Sequence, residues 1–521
     1  MGVWSRLTSF IQEKFSFLSS KGDSYDLTPK YLPMLPTNQR QWNEEAFLSL
    51  SWARGHVPKL HDKLMTAGTG NEIVTVGAEY IAGKPLTIKV VGLETEKDDG
   101  EDEKLTKILN EALRIAKFDQ VNVKAIELAG GGGVSALKID IVNGKPHIRA
   151  IGINQFWVDF RDGLPHRFNF FQEIEMEYKS DVYYLVESRE VLTTNVDGES
   201  KTGGYVTYSV QKISGGKVTP LASNKLPDEV NRFVANLNIQ LNIPVALGIE
   251  GFGAYLIQNT PSNSRYPNLE LGESDLSQCH DLLLGIDYTF TMYMRELEKT
   301  KTKVAASERL FRRKKNVVKG KDEWSFNPDE DYYMLFKGTL DAGATVKDMM
   351  QFLQGEFRDA NYRETMEYFA QKAVSKAGYN PSTFNLGNRE VKATEIWSLQ
   401  DATVRKIEKK KRLIQNPYEQ MLWDFLYLLM KLREGATLLS SDTRVIVEFP
   451  DPMAVNLNEL SSTLNNMNSA VAMSVEEKVK LVHPKWEDDE VQKEVARIYL
   501  ENMIGEVPDP EAIGGKETRG G

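Results

Sequence analysis

Between about Pro267 and Gly435 the chain lays out a helix, a strongly basic stretch of β-like pieces, a second helix, a short loop and a long helix with one internal proline. The first helix is the most constraining element. Its segment LLLGIDYTFTMYM, residues 282–294, is apolar almost all the way round. Such a helix must be covered on more than one side. Two architectures satisfy that: a central core helix in a lone domain, or a helix wedged between copies of itself in a ring. Ser274 reads as its N-cap, with Asp275 at the positive end of the helix dipole, and the helix is expected to run to about Leu297.

The second helix is expected over Leu353–Ala377, with Phe357, Met366, Phe369, Ala370, Ala373 and Val374 as its apolar set. Gly378 is placed as the residue that ends it and Pro381 as a stop. Residues 379–392 read as a compact loop. The long helix starts near Ala393, and Pro417 predicts a kink or break, because proline removes one backbone hydrogen bond and clashes one turn back.

Upstream, residues 27–265 read as a mixed α/β region. Strands are expected at 86–91, 136–142, 147–151, 182–188 and 205–213, and Leu105, Ile108, Leu109, Leu113 and Ala116 mark an amphipathic helix. ETEKDDGEDEK reads as an acidic surface loop, and 258–274 as a turn-rich boundary. A strand at 443–449 is expected to return to the first domain's sheet, followed by helices over 456–503 and a disordered Gly- and Pro-rich tail. Trp4, Leu7, Ile11, Phe15 and Leu18 suggest an N-terminal amphipathic helix. It would lie on a membrane surface or pack on protein, and its few cations favour protein.

At 521 residues the chain exceeds one hydrophobic core, and two to four domains are expected. No apolar run is long enough to cross a membrane. The single cysteine, Cys279, excludes an internal disulfide framework and a cysteine-based zinc site, and reads as a small core residue. None of the five Gly-Lys pairs is followed by Ser or Thr, so no P-loop is present. AGGGGVSALK lacks the strand-to-helix setting of a dinucleotide fingerprint and reads as a close-packed turn into a strand. His56 and His61 are the closest histidine pair but are spaced off a common helix face, and no H-E-x-x-H or G-x-S-x-G occurs. No cofactor, metal or catalytic residue is expected.

The formal net charge of −10 argues against a tight clamp on nucleic acid and leaves attraction to local patches. Two such patches exist. Lys299–Lys321 holds ten Lys or Arg against Glu308 alone, including Lys301, Lys303, Arg309, Arg312, Arg313, Lys314 and Lys315. They would meet phosphates, an acidic protein partner, solvent or a neighbour's carboxylates. Arg405, Lys406, Lys409, Lys410, Lys411 and Arg412 lie on the long helix, with 405, 409 and 412 aligned. That cluster is either a solvated or ion-paired helix face, or part of a positive ring near passing DNA.

PNLELGESDLSQCHDLLLGIDYTFT resembles the segment opening the first stem helix in portal proteins of tailed bacteriophages, the SPP1-like branch. YNPSTFNLGNREVKATEI resembles that family's tunnel loop running into its long helix, and GAEYIAGKPLTI and GGGGVSALK resemble its wing region. The order of elements extends the resemblance over most of the chain. It implies an α+β, portal-like subunit: a mixed α/β wing at 1–265 with a return strand at 437–455, stem helices at 266–300 and 351–378, and a small α/β clip at 301–350. A tunnel loop at 379–392, a long kinked helix at 393–436, a helical crown at 456–505 and a disordered tail at 506–521 complete it. The resemblance further implies a homo-oligomeric ring, of about twelve copies, at a capsid vertex of a virion assembled in the host cytoplasm. Its partners would be double-stranded DNA, the large terminase subunit, a head–tail adaptor, and the major capsid and scaffold proteins, with no membrane. Asn385, Asn388, Arg389 and Lys392 become candidates to face DNA, the 301–315 cations a clip patch, and Leu283, Ile286, Phe290, Phe357, Met366 and Phe369 the stem packing. The alternatives are a metal-dependent DNA-processing enzyme, and a tail or baseplate structural protein.

Overall fold

The computed structural model describes residues 29–55, 64–92, 99–176, 181–196, 199–299, 303–307, 313–315, 322–324, 333–336, 350–353, 358–384, 386, 393–433, 443–450, 474–482, 486 and 488–501. The chain up to Pro450 forms one compact unit, and the remainder a second.

The first unit opens with helices α1 (Thr37–Ala53) and α2 (Thr69–Ala82), strand β1 (Thr87–Val91), and helices α3 (Asp99–Ile115) and α4 (Phe118–Gly132). The acidic DGEDEK stretch, expected as loop, is instead the opening of α3. Acidic residues suit a helix N-terminus, and Leu109 and Leu113 bury the face that spacing foretold. The glycines of AGGGGV form the last turn and cap of α4, where the segments packed against them leave no room for a side chain. A Cβ on Gly131 would lie 2.7 Å from that of Ala53, and Gly133 has φ +88°.

Strands β2 (Val134–Val142), β3 (Lys145–Gly152), β4 (Phe156–Arg161), β5 (Leu164–Ile174), β6 (Val182–Val196), β7 (Glu199–Ser214) and β8 (Lys217–Leu221) follow. Helix α5 (Asp228–Asn236) and strands β9 (Val245–Ala246) and β10 (Ala254–Gln258) come next. β10, β2 and β3 make one antiparallel sheet, and β4 to β8 run as a meander with β9 beside β7. Strand alternation divides the meander between cores. Phe168 and Phe170 join the main core, Trp157, Phe171, Tyr184 and Val186 pack with Tyr31 and Leu35, and Tyr183, Leu185 and Val210 pack with Val230 and Val234.

The two sheets are tied by a buried group of paired charges. The Lys138 ammonium lies 2.6 Å from Glu187 and 3.2 Å from Asp140, and Arg189 lies 2.7 Å from each of the same carboxylates. Arg189 also donates to the carbonyls of Ile139 and Gly253. Burial opposes ionisation of Glu187 and Asp140, but Lys138 and Arg189 hold both carboxyls below the usual range, and the half-exposed Arg149, 2.6 Å from Asp140, adds to the hold there.

Helix α6 (His280–Lys299) and short strands β11 (Lys303–Ser307), β12 (Arg313–Lys315), β13 (Asp322–Trp324), β14 (Tyr333–Phe336) and β15 (Met350–Leu353) come next. They precede helix α7 (Asp359–Lys376), a 3₁₀ turn (Pro381–Phe384), helix α8 (Ala393–Lys431) and strand β16 (Arg444–Glu448). Three sequence expectations change here. Helix α6 begins at His280, not Ser274. The Ser274 hydroxyl lies 3.0 and 2.8 Å from the Gly130 and Gly131 carbonyls and accepts from the Leu276 amide, so it secures the end of α4 instead of capping a helix. The second helix starts at Asp359, because 350–353 pairs with β11 as a strand. Helix α8 runs through Pro417 without a break. β16 pairs antiparallel with β1, Ile88 opposite Val447 and Val90 opposite Val445, burying all four. In the second unit, helices α9 (Val475–Val482) and α10 (Asp488–Glu501) pack together and bury Val479 and Val491. No helix among the described residues is long and apolar enough to cross a membrane.

A cleft of about 800 Å³ lies beside Phe252, Leu256 and Trp423. At its edge the Tyr255 hydroxyl donates to Asp424. Burial pushes the Asp424 carboxyl up to about 6, the Glu250 charge adds to that, and the Tyr255 bond opposes it. The folded chain therefore holds this proton more tightly than the unfolded one. The associated stability is present below the ordinary carboxyl range and is lost as pH rises through 6. Asp424→Asn is expected to stabilise the protein by about 1–3 kcal/mol at pH 7.5, with the difference vanishing near pH 4. Urea titrations at the two pH values check this.

Candidate functional site

Helices α6 and α7 run antiparallel. The Cys279 thiol meets the Ala373 carbonyl at 3.3 Å, Gly285 faces the Phe369 ring, and the Tyr293 hydroxyl donates to Asp359 at 3.2 Å. Arg358 and Tyr362 close the far end on Glu296. Of the packing residues named from sequence, Leu283 and Ile286 are fully buried, and Phe290, Met366 and Phe369 are half-buried. Phe357 lies outside the described residues. The apolar run also hides polar anchors that periodicity did not reveal. Asp287 accepts from Trp52 and from the Ala67 amide, and Thr291 accepts from the Met65 amide. Burial raises the Asp287 carboxyl.

The cover is uneven along α6. Its start is sealed: Cys279 is buried, its thiol pushed up to about 12 by burial, and His280 stacks on Trp52 and meets Ser49 at 2.7 Å. Burial pushes that imidazole down to about 3, so it stays neutral. Further on, Phe290, Met292 and Met294 are only half-buried, Leu297 is exposed, and Tyr368 of α7 is 56% exposed.

Between the two helices, β14 and β15 flank β11, and β12 pairs with β13. The latter register sets Lys314 opposite Glu323 and Lys315 opposite Asp322. Lys303, Arg313, Lys314 and Lys315 therefore lie on strands, while Lys301, Arg309 and Arg312 lie outside the described residues. So do Asn385, Asn388, Arg389 and Lys392 in the loop, and His56, His61 and the N-terminal stretch from Trp4 to Leu18.

The start of the loop is firmly built. Asn380 accepts from the Ser382 amide and hydroxyl at 2.9 Å, and its own amide donates to Thr403. This side-chain-to-backbone turn suits Asn-Pro-Ser. Tyr379 and Phe384 are buried edge to face. The Tyr379 hydroxyl donates to Asp275 at 2.9 Å.

Asp275 sits at the centre of a cluster that sequence reasoning missed. Lys406 and Lys410 reach its two carboxylate oxygens at 2.6 and 2.7 Å, and Asn259 donates at 3.0 Å. Lys406 also donates to the Ala377 carbonyl at the end of α7, and Lys410 approaches the Tyr379 hydroxyl at 3.0 Å. Burial opposes ionisation of Asp275, but the two ammoniums hold its carboxyl far below the usual range. Lys410 is fully buried, and desolvation pushes its ammonium down to about 8 despite the carboxylate. The basic run on α8 is thus two faces. Arg405, Lys409 and Arg412 are exposed, whereas Lys406 is largely covered and Lys410 and Lys411 are buried, the last donating to the Pro450 carbonyl. A uniformly solvated stripe is ruled out.

Helix α2 touches the same cluster. A Cβ on Gly77 would lie 2.3 Å from the Tyr379 hydroxyl. Alanine would gain about 1 kcal/mol of helix propensity, but forcing the pinned tyrosine aside costs about 1–3 kcal/mol. Gly77→Ala is expected to destabilise, and adding Tyr379→Phe should return part of the loss in urea unfolding.

Among the described residues, no group of three His, Cys, Asp or Glu side chains is placed to hold a metal ion. No family model and no curated protein matches this chain. Among solved structures, it is similar to a chain of the virion of a native gene transfer agent particle, at 11% identity and TM-score 0.41, over 83% of this chain and 92% of that one. It is also similar to a chain in the neck of the empty particle computed with C6 symmetry, at 12% identity and TM-score 0.40, over 79% and 89%. A third likeness is to a chain in the neck of the native particle computed with C12 symmetry, at 12% and 0.34, over 80% and 89%. Superpositions this loose assign neither fold nor function.

Proposed function

We propose that this chain is a portal-class subunit: a structural protein that closes into a ring of about twelve copies and conducts double-stranded DNA at a capsid vertex. The observation carrying this reading is the order of the described elements: α6, short paired strands, antiparallel α7, a loop anchored at its start, and α8. In that reading α6 and α7 are the stem, 301–350 the clip that meets the terminase motor and then a head–tail adaptor, and 379–392 the tunnel loop. The α/β region with β16 is the wing, and residues 456–505 the crown. The half-covered apolar residues at 290–297 and Tyr368 are what an isolated subunit would show if neighbouring stems covered them.

A conduit must pass any sequence, so base-edge contacts are unwanted and weak phosphate contacts repeated round a ring suffice. The net charge of −10 fits such a passage better than a clamp. No catalytic step is assigned to any residue.

Native mass spectrometry with electron-microscopy class averages tests the reading. A closed ring of about twelve subunits with a central hole supports it. A monomer with chelator-sensitive nuclease activity overturns it. Within the ring reading, Arg389→Ala with Lys392→Ala is expected to leave assembly intact and alter packaging or retention of DNA. Unchanged packaged length and ejection would remove those side chains from the proposed tunnel.

A further inference from the structure

A cleft of about 410 Å³ opens over Asp275, between the 259–278 connection, the end of α7 and the middle of α8. Lys406 and Lys410 form its floor with Asp275, and Lys376, Arg405 and Lys409 stand exposed around it. We infer that this cleft is an oxyanion site for a phosphate-class ligand, a charge-assisted seat that one carboxylate leaves unfinished.

The argument is one of charge balance. In the group around Glu187, two buried cations meet two buried carboxylates, and the third cation, Arg149, is half-exposed to solvent. Here two ammoniums share one carboxylate, leaving a positive excess where desolvation is severe. Glu273 also lines the cleft and keeps its charge, so the lining as a whole holds five cations, Lys376, Arg405, Lys406, Lys409 and Lys410, against two carboxylates. The Glu273 carboxylate accepts from Ser277 at 2.6 Å, from Ser264 at 2.8 Å and from Gln278 at 3.4 Å. One lysine would hold α8 to Asp275 and to the α7 terminus, so the second is superfluous as a strut. An incoming oxyanion changes that, because each oxygen can accept a strong bond from an ammonium. A phosphate group carries charge enough to meet the floor and the exposed cations together. The ligand is defined by this chemistry: a phosphodiester of a DNA backbone or a free phosphate. The inference holds whether or not copies close into a ring.

The test uses the full-length protein, with inorganic pyrophosphate and a short DNA duplex as probes, titrated calorimetrically at low and high salt. Lys376→Ala with Lys409→Ala removes exposed charges and should leave the circular dichroism spectrum and melting transition intact. The expected result is binding by the wild type that weakens about tenfold in this variant and falls with salt. If the duplex alone binds in this way, the source is the nucleic-acid backbone; if pyrophosphate also binds and competes, it includes free phosphate. The inference is overturned if neither probe binds at low salt, or if the variant binds both unchanged. It is also overturned if poly-glutamate binds in preference to both, which would make the cleft a seat for another protein's carboxylate.

Discussion

Asp275→Asn is expected to destabilise the protein by about 3–5 kcal/mol at neutral pH, because it strands two buried ammoniums. The carboxylate is 2% exposed and receives Lys406, Lys410, Tyr379 and Asn259. Its folded carboxyl lies below the unfolded one, so its contribution is fully present above the ordinary carboxyl range and is lost only in strong acid. Lys410→Met should behave oppositely. It removes the excess charge and leaves a single Asp275–Lys406 pair, so neutral-pH stability should be unchanged or higher. The native state gives up the Lys410 proton near pH 8, before the unfolded state does. The cost of Lys410 is therefore complete below pH 8 and fades as pH rises towards 10.5, and the advantage of the methionine variant should shrink across that window. Chemical denaturation between pH 6 and 10 measures both. If Lys410→Met destabilised as much as Asp275→Asn, the charge-excess account would be wrong.

Glu187→Gln is expected to cost a similar amount, about 3–5 kcal/mol, by leaving Lys138 and Arg189 with Asp140 alone. Here the remedy differs. Adding Lys138→Met removes one of the two stranded buried cations, leaving Asp140 to Arg189 and the half-exposed Arg149, and should recover much of the loss, a coupling that a double-mutant cycle reads directly. Both carboxyls are held down in the folded state. The wild-type advantage is present at neutral pH and shrinks as pH falls below the usual carboxylate range. Strict additivity of the two substitutions would mean that the group does not act as a unit.

The local elements were largely legible. Apolar spacing foretold α3 and α6, and turn chemistry placed the β2–β3 hairpin and the end of α7. What escaped depends on contacts distant in sequence. Ser274 has the chemistry of an N-cap, but the glycine end of α4 takes its hydroxyl. Residues 350–353 carry no strand signal independent of β11, so the start of α7 was placed too early. Asp275 was assigned to a helix dipole because nothing local announces two lysines more than a hundred residues away. Helical spacing aligned Arg405, Lys409 and Arg412 without saying which face of α8 turned inward. The loop residues proposed to face DNA rest on the resemblance, and only the anchored start of that loop adds structural detail.

The pairing of β1 with β16 joins segments about 350 residues apart. During synthesis at roughly 5–20 residues per second, β1 would wait on the order of 20–70 s for its partner. Through that interval Ile88 and Val90 lack their cover, and the strand offers unpaired backbone groups to any other nascent chain. Truncation before Arg444 would make that wait permanent. The final stretch of the first unit thus serves as a closing seam, and its late arrival makes yield during expression sensitive to translation speed.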